Sequence, residues 1–450
     1  MPIVIGMFKY HPTHPIPMDA TAAMLENLNP WWTDGAVPPE LTRIPRDLGP
    51  SLDPLLAAEE ILTLVGVRRS GKSTMLFQII DKLLRGGVAP GSILLMDFED
   101  PRALGLTVGD VLGAYRQRKD PSGRVYVLLD EVQTSAGWER WVRAEYERRR
   151  GIKFVVTGSS SSIVRGELSR VLTGRTLTIP VYPLSFREFL KFKGVDLTTL
   201  SGDALVDKAQ YHLSRYIESG GFPKSVIEGE AAGPLRLKEY FDAILYRDIV
   251  FRHGVKPKKV EKLATYLLSN IGTLQRDTAL ANSTHISTES VVDYLGYLED
   301  ANLIVRVEPL TFKTKPSSTQ SLPKKYYCVD TGLRNAVARR MSPDVGWLVE
   351  NVVCMEMVRR GLRPLYWRNR GEVDFVLGGR PGALMPVNVC FSDEVPEREY
   401  EGLRSFVAHV PPPVGEPILM TRSKDGFVGG VRHVPVWQWL LEGSSVGADG

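Results

Sequence analysis

A glycine-rich loop between an apolar run and a helical pattern constrains the fold of this chain more than any other feature. Residues 66–73 read Gly-Val-Arg-Arg-Ser-Gly-Lys-Ser and match the pattern G-x-x-x-x-G-K-[ST]. The apolar run 61–65 precedes this loop, and a helical pattern over 73–84 follows it. A strand, a loop and a helix in this order predict a phosphate-binding loop at the edge of a parallel sheet.

The residue types in the loop suit the chemistry of a nucleotide phosphate. Gly71 has no side chain, so the backbone can curl around an anion, and the amides that follow it lie at a positive helix end. We expect Lys72 to reach the β- and γ-phosphates and the Ser73 hydroxyl to ligate Mg²⁺. The sequence therefore predicts ATP and Mg²⁺ as cofactors, bound by Gly66, Arg69, Ser70, Gly71, Lys72, Ser73 and Thr74.

Two acids follow the apolar run 125–129 and complete the predicted site. Asp130 is placed to hold Mg²⁺ through water, and Glu131 is placed to act as general base on the attacking water. A buried strand that merely ends in exposed acids is the alternative. The next predicted strand ends in Thr-Gly-Ser-Ser at 157–160, where Ser159 can sense the γ-phosphate or simply form a turn.

Hydrolysis also needs positive charge on the transferring phosphoryl group. Lys72 supplies part of this charge. We expect Arg175 to supply the rest as a second catalytic cation, from the same chain or from a neighbouring subunit. An arginine that is solvated or paired with a carboxylate is the alternative.

The hydrophobic pattern indicates an α/β protein of several regions. Continuous apolar runs at 93–97, 125–130 and 153–158 alternate with helical patterns, which predicts a parallel sheet covered on both faces. Helical patterns dominate from about residue 180 to 300, with a break at 220–223, and strand-like runs return after residue 302. We predict an N-terminal arm (1–54), a P-loop core (55–180), a helical lid and winged-helix region (181–312) and a C-terminal region (313–450).

Composition narrows the class of protein further. A net charge of +4 over 450 residues means that nucleic-acid binding requires a local basic patch. Cys328, Cys354 and Cys390 are far apart in sequence, which argues against a disulfide framework or a zinc site. The sequence lacks an apolar run long enough for a membrane span, and its start is a poor signal peptide, so we expect a cytoplasmic protein.

Several short stretches occur in an order that resembles one family. They are 68–73, 129–133 (Leu-Asp-Glu-Val-Gln), 157–160, 172–175 (Leu-Thr-Gly-Arg), 183–189 (Pro-Leu-Ser-Phe-Arg-Glu-Phe), 220–223 (Gly-Gly-Phe-Pro), 246–249 (Tyr-Arg-Asp-Ile), 329–333 (Val-Asp-Thr-Gly-Leu) and 350–351 (Glu-Asn). This series is similar to prokaryotic, largely archaeal, AAA-type ATPases with a C-terminal DUF4143 domain. The resemblance covers about residues 55–410. It implies an AAA-type core, a winged-helix middle region, a C-terminal restriction-endonuclease-like domain and a homo-oligomer such as a hexameric ring.

The C-terminal domain of that family is similar to PD-(D/E)xK nucleases. Such a site needs an acid on a helix, an aspartate on a strand and E-x-K on the next strand, and Glu350 and Asp374 fit the first two positions. Asn388 and Cys390 stand where the second acid and the lysine belong, and neither can do the same chemistry. We therefore predict a binding or structural relic in which Glu350 and Asp374 are ordinary partners of basic residues.

The region 252–340 carries more basic than acidic residues, and its segments 278–282 and 287–300 followed by a strand resemble a winged helix. We expect this region to contact DNA phosphates, although winged helices also bind proteins. The candidate lysines are Lys256, Lys258, Lys259, Lys313, Lys315, Lys324 and Lys325. Likewise, Trp31 and Trp32 can stack on a base, or they can anchor the arm on its own domain.

Our hypothesis from the sequence is Mg²⁺-dependent ATP hydrolysis in a DNA-associated AAA-type motor or DNA-processing factor. A STAND-like signalling ATPase that acts on protein partners is one alternative, and an ATP-dependent nuclease with a degenerate site is another. A small-molecule kinase fits less well, because Glu131 favours water as the phosphoryl acceptor.

Overall fold

The computed structural model describes residues 18–47, 52–119, 121, 123–148, 151–159, 172, 174–312, 322–338, 345–378, 382–392 and 394–442. The predictions for Ser160, Lys313 and Lys315 lie outside these residues. Contacts divide the chain into two units, the first formed by 1–66 and 71–181 and the second by 67–70 and 182–450. Within the described ranges, no helix is both long and apolar enough to cross a bilayer.

The first unit is built on a five-stranded parallel sheet in the order β2-β3-β4-β1-β5. All five residues of β1 are buried, which accounts for the continuous apolar run in its sequence. The predicted parallel sheet is therefore confirmed. Its strands are β1 (Ile61–Val65), β2 (Ile93–Asp97), β3 (Val125–Asp130), β4 (Ile152–Gly158) and β5 (Thr176–Pro180).

The described α-helices of the first unit are α1 (Met18–Leu28), α2 (Trp31–Asp34), α3 (Pro39–Thr42), α4 (Leu52–Ala57), α5 (Lys72–Arg85), α6 (Val108–Lys119) and α7 (Trp138–Glu147). Helix α5 begins directly after Gly71, whose φ of 103° favours glycine. It buries Leu76, Ile79 and Ile80 at helical spacing, and Arg85 in its last turn complements the negative helix end.

The described part of the N-terminal arm is integral to the first unit. The Asn29 side chain donates to the Leu95 carbonyl (2.9 Å) and accepts from the Leu95 N–H (2.6 Å), so it pairs with the edge strand β2 as another strand would. The indole N–H groups of Trp31 and Trp32 both donate to the carbonyl of Ile93, at 3.1 and 2.8 Å. The structure thus shows the tryptophans as anchors of the arm.

The described helices of the second unit are α8 (Phe186–Phe192), α9 (Gly202–Ser219), α10 (Pro223–Ala243), α11 (Pro257–Ser269), α12 (Asp277–Thr284), α13 (Thr288–Asp300), α14 (Thr331–Val337), α15 (Val345–Arg359), α16 (Glu397–His409) and α17 (Val436–Leu441). A π-helical segment, Ile244–Phe251, continues directly from α10. Ser185 and Glu188 form a capping box at the start of α8.

The predicted helix break at 220–223 separates α9 from α10, and a buried carboxylate holds it in place. Asp330 accepts from the Gly221 N–H (2.6 Å) and from the Leu333 N–H (2.8 Å). A side chain on Gly220 would collide with the Asp330 carboxylate. Two of the short family stretches, 220–223 and 329–333, therefore form one structural joint.

The second unit contains an eight-stranded mixed sheet in the order β12-β13-β11-β10-β9-β8-β6-β7. Its strands are β6 (Ile304–Pro309), β7 (Lys325–Cys328), β8 (Leu365–Arg368), β9 (Glu372–Gly378), β10 (Leu384–Cys390), β11 (Ile418–Thr421), β12 (Gly426–Val428) and β13 (Val431–Pro435). Strands β6 and β7 pair antiparallel across the predicted boundary at 312/313. Because β6 also pairs with β8, the helical and C-terminal regions form one unit instead of two.

Replacing Trp31 by alanine tests the role of the arm. Trp31 is fully buried, so we expect Trp31→Ala to lower the free energy of unfolding by about 3–5 kcal/mol, the usual cost of removing a large buried aromatic. The measurement is urea denaturation. Leu104→Ala, at a side chain that is 64% exposed in the same unit, is the control and should change stability by less than about 0.5 kcal/mol. Equal losses for both variants would contradict the assignment.

Candidate nucleotide site

The strand order places the predicted site residues at one edge of the first sheet. Strand β4 lies between β3 and β1, and all three run parallel. Their carboxyl ends therefore bring together Asp130 from β3, Thr157 from β4 and the loop that begins at Gly66 after β1. In an open parallel sheet this edge is where ligands bind.

Lys72 links the loop to the acids. Its ammonium donates to the Gly66 carbonyl at 3.1 Å and lies 3.5 Å from a carboxylate oxygen of Glu131. The side chain is buried, so this charge acts where water screens it weakly. Arg69 has a φ of 70°, a left-handed conformation that is rare for a residue with a side chain and is common where a loop is shaped for function.

Asp130 is buried and is held by hydroxyl groups from two neighbouring elements. The Thr157 hydroxyl donates to the Asp130 carboxylate, and the Ser73 hydroxyl also hydrogen-bonds to it. Burial raises the pKa of Asp130, while the bonds from Ser73 and Thr157 and the charge of Lys72 oppose that rise. A hydroxyl beside a carboxylate is an oxygen donor set that suits Mg²⁺, which needs few protein ligands when phosphates supply the others. Ser73 and Asp130 thus fit the predicted metal role.

The backbone conformation of Glu131 and two hydrogen bonds define the orientation of its side chain. Its backbone is left-handed, with φ 45° and ψ 47°. Its N–H donates to the Thr157 hydroxyl at 3.0 Å, and its carboxylate accepts from the Gln133 side-chain amide at 2.5 Å. A carboxylate that is held beside the lysine of the loop can accept a proton from water near a bound phosphate.

Two further residues lie at this edge, although no role was predicted for either of them from the sequence. Thr157 lies in the predicted Thr-Gly-Ser-Ser stretch, and its hydroxyl donates to the Asp130 carboxylate. The sensing role of Ser159 stays a prediction. Asp97 ends β2 in register with Asp130, and burial, with a smaller contribution from the Asp130 charge, raises the pKa of Asp97 to about 6. The sequence did contain a signal for Asp97, because the two apolar runs 93–97 and 125–130 both end in an aspartate.

Arg175 lies at the amino ends of the strands, opposite to the carboxyl ends from which the phosphate loop starts. Its carbonyl accepts from the N–H of Ile61, the first residue of β1, whereas the phosphate loop follows the last residue of that strand. Its guanidinium lies 3.3 Å from the Glu147 carboxylate. The prediction that Arg175 acts on its own chain's nucleotide is therefore wrong, because five residues of strand span about 16 Å. Its supply by a neighbouring subunit stays a prediction.

The nuclease-like acids of the second unit converge on a lysine from a different strand. The Lys325 ammonium lies 3.1 Å from Glu350, 3.1 Å from Glu372 and 3.2 Å from Asp374. The other oxygen of Asp374 accepts from the Val389 N–H at 3.0 Å. Among the residues described, no group of three His, Cys, Asp or Glu side chains is arranged to hold a metal ion. The ammonium thus takes the position between the acids that a cation would need.

Two of the lysines predicted to contact DNA are unsuited to that role. Lys325 is 2% exposed and fully engaged with the acids, and Lys324 is buried against Asp277 at 3.2 Å. The prediction is wrong for both, because a phosphate contact requires an exposed ammonium. Lys256 and Lys258 are exposed and Lys259 is half-buried at the start of α11, so these three remain candidates.

Removing the ammonium should leave the acids of this cluster uncompensated. We expect Lys325→Met to lower the free energy of unfolding by about 3–5 kcal/mol at pH 8. Burial and the Asp374 charge raise the pKa of Glu350 to about 7, and without the lysine that pKa rises further. The folded variant then binds protons more tightly than the unfolded chain, so its deficit should shrink as the pH falls from about 8 to 6.

Urea denaturation at both pH values measures this effect. Lys262→Met, at an exposed position on α11, is the matched control and should change little at either pH. A Lys325→Met deficit that is independent of pH would contradict the proposed charge balance.

Comparison with known proteins agrees with this arrangement. Residues 58–190 match the family described as "AAA domain", residues 210–344 match a domain of unknown function (DUF8612), and residues 345–439 match another (DUF4143). The chain is 32% identical over 393 residues to an uncharacterized protein of Haemophilus influenzae, covering 85% of this chain and 94% of that one. It is 30% identical over 408 residues to an uncharacterized protein of Methanocaldococcus jannaschii, covering 86% and 89%.

Two solved structures also align with the chain. The Aeropyrum pernix ORC1 protein in complex with DNA is 12% identical, with a TM-score of 0.30, over 74% of this chain and 94% of that one. Thermotoga maritima RuvB is 17% identical, with a TM-score of 0.27, over 56% and 86%. The extensive matches to the two relatives, with the AAA and DUF4143 regions in the predicted order, show that this chain belongs to the family of AAA-type P-loop proteins with a C-terminal DUF4143 domain.

Proposed function

We propose that this protein binds ATP with Mg²⁺ and hydrolyses it. The observation that carries the proposal is the buried Asp130 carboxylate, which is bonded to Ser73 and Thr157 while Glu131 lies beside the Lys72 ammonium. A helix that begins at Lys72 directs its amides and its positive end toward this position.

Each residue then has one role in the reaction. The amides at the start of α5 hold the phosphates, and the Lys72 ammonium orients the β- and γ-phosphates and balances the charge that develops on them. Ser73 and Asp130 would hold Mg²⁺, which supplies further charge neutralisation when bound. Glu131 takes the proton from the water that attacks the γ-phosphate, and Gln133 keeps that carboxylate oriented.

The Arg175 position bears on the oligomeric state. Because Arg175 lies at the far edge of its own sheet, only another subunit can bring this guanidinium to a nucleotide. A homo-oligomer, such as a hexameric ring, is therefore part of the proposal.

ATP hydrolysis in this chain can serve DNA or a protein partner. The second unit has the order α11, α12, α13, β6 and β7, three helices and two antiparallel strands, as a winged helix requires. Lys256 and Lys258 are exposed at the start of α11 and could contact phosphates. These features support the DNA-associated motor or processing factor.

One observation favours the alternative, a switch that acts on a protein. Helix α13, in the position of a recognition helix, has four acids and no basic residue, and Glu289 and Asp293 on it are exposed. Such a face is repelled by DNA phosphates and is suited to a basic protein surface. The lysine among the acids of the nuclease-like cluster disfavours the other alternative, an ATP-dependent nuclease with a degenerate site.

Glu131→Gln tests the hydrolytic role. We expect turnover to fall by about 10²–10⁴-fold, because the amide cannot accept the proton of water, while ATP still binds. Phosphate release measures turnover, and nucleotide that co-elutes with the protein in gel filtration measures retention. Glu40→Gln, at an exposed acid of the same unit, is the control and should hydrolyse ATP normally. A Glu131→Gln protein with unchanged turnover would contradict the assignment.

Duplex DNA at low salt separates the two partner classes. The DNA version predicts a rise in ATPase rate with DNA and a gel shift, and both should weaken by about tenfold or more in Lys256→Glu/Lys258→Glu because each lost phosphate contact reduces affinity. Lys208→Glu, an exposed lysine on α9, is the control. If DNA neither shifts nor stimulates the wild type, the protein-directed switch is the version that stands.

A further inference from the structure

The middle of the phosphate loop is packed into the second unit. Residues 67–70 cluster with that unit, although Gly66 before them and Gly71 after them belong to the first. Val67 is 1% exposed and joins the hydrophobic core that contains Phe222 of the Gly-Gly-Phe-Pro stretch. The same core includes Phe241, Ile244, Leu245 and Ile249. The loop conformation is therefore set partly by side chains far away in the sequence.

An ion pair fixes the next residue of the loop. Arg68 Nε lies 3.3 Å from both carboxylate oxygens of Asp248, and Arg68 Nη2 donates to Oδ1 at 3.2 Å. Both side chains are buried, with exposures of 9% and 6%. A planar guanidinium that meets a carboxylate through two nitrogens defines orientation as well as distance.

Asp248 lies on an unusual element. It belongs to the π-helical segment Ile244–Phe251. π-Helical geometry is rare in proteins, and where it does occur it is often part of a functional site. It is also the third residue of the Tyr-Arg-Asp-Ile stretch, to which the proposed reaction gives no role. Arg247 beside it is exposed, so the segment turns one acid inward toward the loop.

Stability alone is a poor explanation for this pair. Two charges lose hydration on burial, and apolar residues of similar size often stabilise a core as well or better. What the pair adds is a defined geometry at the residue that precedes Arg69, whose left-handed backbone must be held by its surroundings. Because Arg69 and Ser70, which follow Arg68 directly, are among the predicted nucleotide-binding residues, a shift of Arg68 changes how the loop meets the phosphates.

We propose that Asp248 is a positioning residue for the nucleotide, acting through Arg68, and that the π-helical segment senses whether the phosphate loop is occupied. This inference deepens the proposed function and rests on it. By linkage, if the pair shapes the loop for Mg-ATP, Mg-ATP must in return stabilise the segment that carries Asp248. The 244–251 segment is then the route by which nucleotide binding reaches α10 and α11, between which it lies in the chain.

Asp248→Asn, which keeps the shape and removes the charge, is the direct test. We expect the Kd for Mg-ATP to rise by about tenfold or more, while kcat at saturating ATP changes by less than about threefold, because Asp248 does not touch the reacting atoms. Asp248→Glu retains the charge and should recover part of the affinity. Asp242→Asn, at an exposed acid on α10, is the matched control and should bind like the wild type.

Amide hydrogen exchange distinguishes a positioning role of Asp248 from a purely structural one, because only a positioning role couples exchange in this segment to the nucleotide. In the wild type, saturating Mg-ATP should slow amide exchange in the peptide that covers 244–251, and this response should be absent in Asp248→Asn. If Asp248→Asn fails to fold, the wild-type measurement decides alone.

The possible failures are distinguishable. Suppose that the wild type binds Mg-ATP, that the Kd of Asp248→Asn is within about twofold of the wild-type Kd, and that exchange in 244–251 is unchanged by the nucleotide. The inference is then overturned, and the proposed function stands. If the wild type binds no Mg-ATP, the proposed function is wrong, and the inference that rests on it is wrong as well.

Discussion

The burial of the Asp130 carboxylate at the end of β3 is the constraint around which the site is organised. A buried carboxylate costs several kcal/mol unless hydrogen bonds and opposite charge offset the loss of water. Here the strand order supplies the offset, because β4 brings the Thr157 hydroxyl next to Asp130 and β1 leads into the loop that carries Lys72 and Ser73. The same groups that make the burial tolerable also form a site for phosphate and metal.

The second unit uses buried charge in the same manner, and two of the three examples lie in the short family stretches. Asp330 ties the 220–223 break to the start of α14, and Asp248 holds Arg68 of the phosphate loop. Lys325 gathers the acids of the nuclease-like cluster. In each case a charged side chain inside the unit specifies a geometry that hydrophobic packing leaves undetermined.

The sequence predicted those parts of the fold and of the site that depend on local pattern. Continuous apolar runs identified β1 to β4, and the spacing of Gly66, Gly71, Lys72 and Ser73 identified the loop. Tertiary contacts decide which strands pair and which of their ends lie together. The position of Arg175 at the amino ends of the strands was therefore not predictable from the local sequence pattern alone. The Glu350 partner of Lys325 and the Leu95 partner of Asn29 lie 25 and 66 residues away in the chain, and no local rule assigns them.

Titration calorimetry with Mg-ATP on the intact protein tests the central claim most directly, with Lys72→Ala measured alongside. The account predicts saturable heat with one nucleotide bound per chain and its loss in Lys72→Ala, because the ammonium beside Glu131 is the main fixed positive charge proposed for the phosphates. The absence of heat from the wild type, or equal heat from Lys72→Ala, would contradict the assignment of the site.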